Sequence, residues 1–416
     1  MDYSKPARKI TITLFLAMSL GSAGLVLAAT INSIVGAQLS GNPAWAGVPS
    51  AVFLLGTAFA SLGGGYFMER FGRRGGISLG LLCGAAGAGL AAKAVVDRSF
   101  PAFLFGLAIV GIAQAALQLG RFAAAEVHPP LERGRAISRV VLGGTVGAVF
   151  GPWLVGPVGR LALRAGYEEL AGPFVAGMLL YIATALLILF RLRPEPRDLG
   201  RNLASLYPES LPEDGGARSI KEILLAPAPL AAMSVMVGSQ MVMVMLMVIT
   251  ALHMTEHQHP LTSISAVISS HTFGMFAFSI VSGQLADRWG RTPVILVGLG
   301  TLVLACLLAP LSPQVIPLAG ALFLLGLGWN FCYVGGSSLL ADHLSPLERA
   351  KTQGFNDLLI GLASALGSFG SGLIFAAVGY GTMGLAGILV ALVPLALVAR
   401  WQLGRQRLAL PQAAGK

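Results

Sequence analysis

Charge is scarce in this chain: 11% of its 416 residues are Asp, Glu, Lys or Arg. Soluble domains carry roughly 25%, so a water-facing surface over the whole molecule is excluded. Cysteine is scarcer still. Cys83, Cys306 and Cys332 lie singly in apolar runs, with no C-x-x-C spacing. That excludes a disulfide framework and a thiolate metal cluster, and leaves small core residues. No phosphate-cradling loop and no nucleophile–base constellation occurs, so no enzymatic activity and no cofactor are expected.

What the chain has in abundance is apolar length. It is 55% hydrophobic and contains 54 glycines. Twelve runs approach the roughly 20 residues that cross a bilayer as a helix. They fall at about 10–38, 45–68, 76–95, 101–125, 135–158, 170–190, 228–253, 260–286, 292–309, 315–340, 350–377 and 381–401. No small-residue cleavage site follows the first run, which reads as a retained span. The net charge of +10 could suggest nucleic acid, but its placement excludes that partner. With a cytoplasmic N-terminus, 23 of the 28 Lys and Arg lie on inside segments. Arg98, Arg160 and Arg164 fall outside, and Lys93 and Arg121 lie within or near span ends. This is the positive-inside asymmetry, and it predicts a multi-pass protein of the cytoplasmic (inner) membrane with both termini in the cytoplasm.

The chain also repeats itself. "GYFMERFGRR" at 65–74 and "GQLADRWGRT" at 283–292 share the pattern G-x-x-x-acid-R-aromatic-G-R at an offset of 218. "PPLERGRA" at 129–136 and "SPLERAKT" at 345–352 repeat at an offset of 216. Two agreeing offsets imply a duplicated six-helix unit. The polar, Pro- and Gly-containing stretch 192–220 separates an N-terminal lobe, 1–191, from a C-terminal lobe, 221–416. These motifs resemble those of the major facilitator superfamily. The resemblance implies an all-α membrane protein of twelve transmembrane helices in two pseudo-symmetric six-helix lobes, working by alternating access. It also implies a conformational gate in which Gly65, Glu69, Arg70 and Arg73, and Gly283, Asp287, Arg288 and Arg291, bridge neighbouring helix ends on the cytoplasmic side. The first copy has Glu where the family pattern has Asp.

Polar groups inside a membrane are costly, so each is a candidate for the transport path. Asn32 and Gln38 occupy the first span, Gln114, Gln118 and Arg121 the fourth, Gln240 the seventh, and Asn356 and Asp357 the eleventh. Arg121 and Asp357 could couple a proton or act as ionic locks. "GAVFGPWLVG" at 147–156 is similar to a signature of drug/proton antiporters. The companion arginine would fall near Leu107 and is absent, which weakens drug antiport; the glycines equally suit close helix packing.

Seven of the 13 methionines lie between Met233 and Met254, and four of the six histidines between His253 and His271. At about 100° per residue, Met236, Met243, Met247 and Met254 form one stripe on the seventh span, with Met241 and Met245 opposite. His271 and Met275 are i and i+4 on the eighth span. Met243 and His271 are each 14 residues from His257, so antiparallel spans would match them in depth. Thioethers and a neutral imidazole suit Cu(I) and bring no negative charge into lipid. A methionine stripe alone is ordinarily packing; M-x-x-x-M beside H-x-x-x-M is the narrower coincidence. Met241/Met245 is a second M-x-x-x-M register, and depth and face favour Met243/Met247. His253, Met254, His257 and His259 could collect metal at the outer mouth, or form a solvated loop.

M-x-x-x-M followed by H-x-x-x-M is similar to the CcoA-like family of bacterial copper importers within the superfamily. The resemblance implies copper uptake for cytochrome oxidase assembly by a monomer, with a cytoplasmic copper chaperone as possible partner. Met243, Met247, His271 and Met275 would be the ligands, and copper the transported substrate. The wider family is similar to transporters of organic substrates such as riboflavin. Two alternatives follow: a transporter of a small organic molecule, proton-coupled or not, and a non-transporting copper sensor or assembly scaffold. The first predicts that Met and His substitutions are tolerated while changes at Asn32, Gln240, Arg121 or Asp357 are not.

Overall fold

A computed structural model describes residues 4–129, 132–206 and 218–413. Helices and short connections account for these residues, and no strand occurs among them. Among the described residues, eleven helices are long and apolar enough to cross a membrane. The last, Lys351–Gly404, has 54 residues, about 80 Å at 1.5 Å per residue. That is more than twice a hydrocarbon core of about 30 Å. It contains Gly379 at φ 75° and ψ 176°, a conformation only glycine adopts readily. The break falls between the predicted runs 350–377 and 381–401, so this stretch carries two of the twelve passes.

The helices begin and end for local reasons. α1 (Ser4–Ala29) stops at Thr30–Ile31, and α2 (Asn32–Ser40) completes the first span before Gly41 in the left-handed region. α3 (Val48–Val96) and α4 (Phe100–Glu126) each start with proline in the first turn, where no amide hydrogen bond is lost. α5 (Arg133–Phe150), α6 (Val155–Arg164) and α7 (Ala171–Arg191) follow, then the short α8 (Pro196–Leu206). α9 (Ile220–Leu225) opens with a capping box: Ser219 accepts from the Glu222 amide, and the Glu222 carboxylate accepts from the Ser219 amide. The remaining helices are α10 (Pro227–Glu256), α11 (Leu261–Phe276), α12 (Ser279–Trp289), α13 (Arg291–Leu308), α14 (Val315–Asp342) and α15 (Pro346–Ala413).

By contacts the described chain divides into two compact units. One comprises Met1–Leu211 with Ala251–Ser269, the other Pro212–Thr250 with Ser270–Lys416. Residues 130–131 of the first PLER motif and 207–217 of the connector lie outside the described residues.

Lipid is as apolar as a leucine side chain, so helices in it associate through close packing, and glycine permits that. In the first unit a Cβ on Gly111 would lie 2.5 Å from the Thr57 amide nitrogen, and one on Gly147 would strike the Ser19 carbonyl. Two glycines of "GAVFGPWLVG" therefore seat the end of α5 against α1: Gly147 faces Ser19 and Ala23, and Gly151 faces Ala23. Side chains such as Leu14, Leu81, Val110 and Tyr181 fill the space between these helices. In the second unit Gly274 of α11 and Gly326 of α14 do the same, each meeting the other helix's backbone. Cys306 and Cys332 are buried there as small apolar residues.

Candidate functional site

The second unit holds the four predicted metal ligands. Met243 is buried and Met247 half-buried on α10; His271 is fully enclosed and Met275 half-buried on α11. The turn carrying His271 and Met275 is clamped to α14 at three successive turns. The Leu322 carbonyl pairs with His271 Nδ1 at 3.0 Å, Gly326 meets the backbone between them, and Asn330 Nδ2 donates to the Met275 carbonyl at 2.6 Å. The Leu322 contact requires the proton on Nδ1, so Nε2 carries the lone pair, and Nε2 has no hydrogen-bond partner among the described residues. No hydrogen bond links this ring to Met243 or Met247. The opposite register has a structural explanation: Met241 and Met245 pack on Gly367, where an added Cβ would lie 3.3 Å from each Cγ. Met236, at the N-terminal end of the stripe, is packed against Gly336 and accepts from Asn356 Nδ2 at 3.6 Å.

A polar and aromatic cluster adjoins α10 in the same unit. Trp329 Nε1 donates to Gln240 Oε1 at 2.7 Å, and Gln240 Nε2 donates to Ser364 Oγ at 3.0 Å. The Trp329 ring stacks on Tyr333 with centroids 5.0 Å apart, and Phe276 meets it edge-on at 6.2 Å. All three rings are only half-buried. Asn330 knits the break between α11 and α12, donating to Ser279 Oγ at 2.8 Å and accepting from Ser282 Oγ. Sequence reasoning singled out Gln240 and missed Trp329, Tyr333 and Asn330. The available signal was "WNFCY" at 329–333, three aromatic rings within five residues, of which Trp329 and Tyr333 have i, i+4 spacing.

In the first unit, Gln114, Gln118 and Arg121 lie within about 60° of arc on α4. None makes a side-chain hydrogen bond or ion pair among the described residues; Arg121 lies 5.0 Å from the Phe122 ring centre. Asn32 is buried with its Oδ1 unpartnered among the described residues, whereas Gln38 is exposed. The predicted outer residues also belong to this unit. His253 and His257 have ring centres 4.4 Å apart, His257 Nδ1 contacts the His253 carbonyl at 2.9 Å, and Met254 is buried. His259 follows Gln258, whose φ of 59° turns the chain.

The duplicated motif recurs as geometry. Gly72 has φ 80° and ψ 165°, and Gly290 has φ 90° and ψ 163°. In the first unit Arg73 binds Glu126 at 2.5 and 3.0 Å; in the second Arg291 binds Asp342 at 2.9 Å. The acid of the motif behaves differently in the two copies. Asp287 accepts from Arg291 at 2.9 Å. The Glu69 carboxylate pairs with nothing among the described residues, and the Glu69 backbone carbonyl accepts from Arg197 instead. The expected bridge through Glu69 is therefore corrected: Glu126 holds the Arg73 guanidinium at two points, and Glu195 holds the turn's amides. Arg70 lies 5.8 Å from the Phe71 ring centre. Gly65 and Gly283 lie within α3 and α12, and Arg288 in the last turn of α12.

The sequence model of the Major Facilitator Superfamily matches residues 10–251 and again 230–415. The chain belongs to the major facilitator superfamily. The uncharacterized MFS-type transporter YdeG of Bacillus subtilis (strain 168) is 36% identical over 389 residues, covering 92% of this chain and 90% of that protein. The riboflavin transporter RfnT of Brucella anthropi is 32% identical over 404 residues, covering 96% and 98%. Among solved structures, the nucleoside transporter NupG is similar at a TM-score of 0.69, with 15% identity and coverage of 97% and 98%. The superfamily membership makes this a multi-pass membrane transporter; the finer likeness to copper importers rests on four residues alone. Of the two candidate coupling residues, Arg121 is half-buried in the first unit and Asp357 exposed in the second.

Proposed function

We propose that this superfamily member carries a small organic solute with a planar, hydrogen-bonding ring system, of riboflavin-like chemistry, across the cytoplasmic membrane by alternating access. It is a transporter without enzymatic activity, with both termini in the cytoplasm. The observation that carries this reading is the end-to-end similarity, 32% over 96% of the chain, to a riboflavin transporter. Two features support it. The stacked Trp329–Tyr333 pair offers a flat face to an aromatic ring, and the Gln240 amide beside it offers polar selection. On α4, Gln114, Gln118 and Arg121 are uncommitted polar groups in an apolar helix, where such groups belong to solute pathways.

One observation favours copper as a second reading. His271 has Nδ1 fixed on a carbonyl and a buried Nε2 lone pair without a partner among the described residues, which is how metal-binding imidazoles are oriented. Copper would then be the transported substrate.

One experiment separates the two. Labelled riboflavin and labelled copper are offered to cells that lack their own importers and express this protein at matched levels. The organic reading expects riboflavin accumulation, lost in Gln240→Ala and Trp329→Ala and kept in Met243→Ala/His271→Ala. Copper accumulation with the reverse pattern would replace it.

A further inference from the structure

The second unit contains a cavity of about 680 Å³ between the α9–α10 elbow and the last turns of the final span. Its walls include Leu225, Leu397 and Trp401, and its polar rim is Arg218, His343 and Arg400. The volume lies within the roughly 300–1,000 Å³ of small-molecule sites. None of these residues belongs to the candidate site described above.

The charges on its rim are unevenly matched. Arg218 donates through Nε and Nη2 to Glu348, at 2.8 and 2.9 Å, and through Nη2 to the His343 carbonyl at 2.8 Å. Its Nη1 makes no hydrogen bond among the described residues, and its side chain is 42% exposed. Glu222, the other acid nearby, is held by the Ser219 amide at 2.7 Å. Arg400 is exposed and forms no ion pair among the described residues. Two guanidinium groups thus retain free donors beside an apolar wall. The cavity lies where two spans end, Pro227–Glu256 at its first residue and Lys351–Gly404 at its last. Leu225, 71% exposed, extends the apolar wall outward. Trp401 packs edge-on to His343 at 6.1 Å, an indole at the polar–apolar boundary.

We infer that this cavity binds the phosphate headgroup of an anionic phospholipid, with its acyl chains running along the exposed apolar side of the final span. Arginine suits a phosphate diester because its planar fork offers paired donors. Basic pockets at the ends of membrane helices recognise such headgroups through charge and apolar contact together. A free phosphate would use the same donors but not the apolar wall, which is why a lipid is the occupant argued for.

The test uses the full chain, delipidated in detergent, with native mass spectrometry and thermal unfolding as readouts. The probes are phosphatidylglycerol, phosphatidylcholine with the same chains, and inorganic phosphate. Phosphatidylglycerol should form adducts and raise the unfolding temperature; phosphatidylcholine and inorganic phosphate should do neither at equal concentration. Arg400→Gln should weaken phosphatidylglycerol binding about fivefold, the contribution of one basic residue near an anionic surface. Arg400→Lys should recover part of it, and Arg201→Gln, in the first unit, should leave it unchanged. Equal phosphatidylglycerol binding by Arg400→Gln and the parent would overturn the inference. So would inorganic phosphate reproducing the full thermal shift, which would make the site one for free anions.

Discussion

Gly72 and Gly290 turn the chain with nearly the same dihedrals, yet what surrounds them differs. At Gly72 an added Cβ would lie 3.0 Å from the Glu195 carboxylate, which also accepts from the Arg73 amide at 2.5 Å. At Gly290 the nearest atom would be Pro293 Cδ at 3.9 Å. The two PLER motifs differ in the opposite sense. Glu348 is buried and receives Arg218, while its repeat partner Glu132 is exposed and its carboxylate is unpaired among the described residues. One cause accounts for both differences. The connector between the halves occurs once: Glu195 near its beginning docks on the first unit's turn, and Arg218 near its end docks on the second unit's motif. Duplicated sequence gives duplicated backbone, and the unduplicated connector breaks the symmetry.

The largest expected difference between the halves is at the glycines. Either Gly72→Ala or Gly290→Ala forces a side chain into a conformation that costs about 1–3 kcal/mol. Gly72→Ala should also crowd Glu195 and so lower the unfolding temperature further than Gly290→Ala. Equal losses in a detergent thermal melt would mean that Glu195 does not hold the turn.

A smaller effect separates the PLER glutamates. Glu348→Gln should cost roughly 1 kcal/mol, the size of a charge-assisted pair half open to solvent; Glu132→Gln should cost nothing measurable. The pair also has a pH signature. The Arg218 hydrogen bonds, and then the Ser345 amide, hold the Glu348 carboxyl well below the usual carboxylate range. A depressed folded-state value means the unfolded chain takes up the proton first. The contribution is therefore complete above about pH 4.3 and falls away as pH drops below it. Arg218→Gln should lower stability at pH 7 and flatten its decline between about pH 4.3 and 3. An unchanged slope would show that the pair does not contribute.

The smallest difference is at the acids of the duplicated turn. Asp287 is 75% exposed where it meets Arg291, so Asp287→Asn should cost a few tenths of a kcal/mol. Glu69→Gln should leave the melting temperature unchanged. An equal loss at both positions would restore Glu69 to the bridge.

Much of the molecule was legible without coordinates because its cause is local. An apolar run of about 20 residues must form a helix in lipid, where every backbone group needs an internal partner. Repeat offsets expose duplication, and the G-x-x-x-acid-R-aromatic-G-R spacing locates the turns. The methionine faces were legible too, since helical period alone separates Met243 from Met241. Tertiary structure decided which polar side chains were already engaged. That Arg73 chooses Glu126 over Glu69, that Gln240 is held by Trp329 while Arg121 has no ion-pair partner among the described residues, and that Arg218 neutralises Glu348 but not Glu132 all depend on residues between 4 and 130 positions apart. Hydrogen-bond partners are set by packing in space, and one chain's residue types carry no record of that proximity.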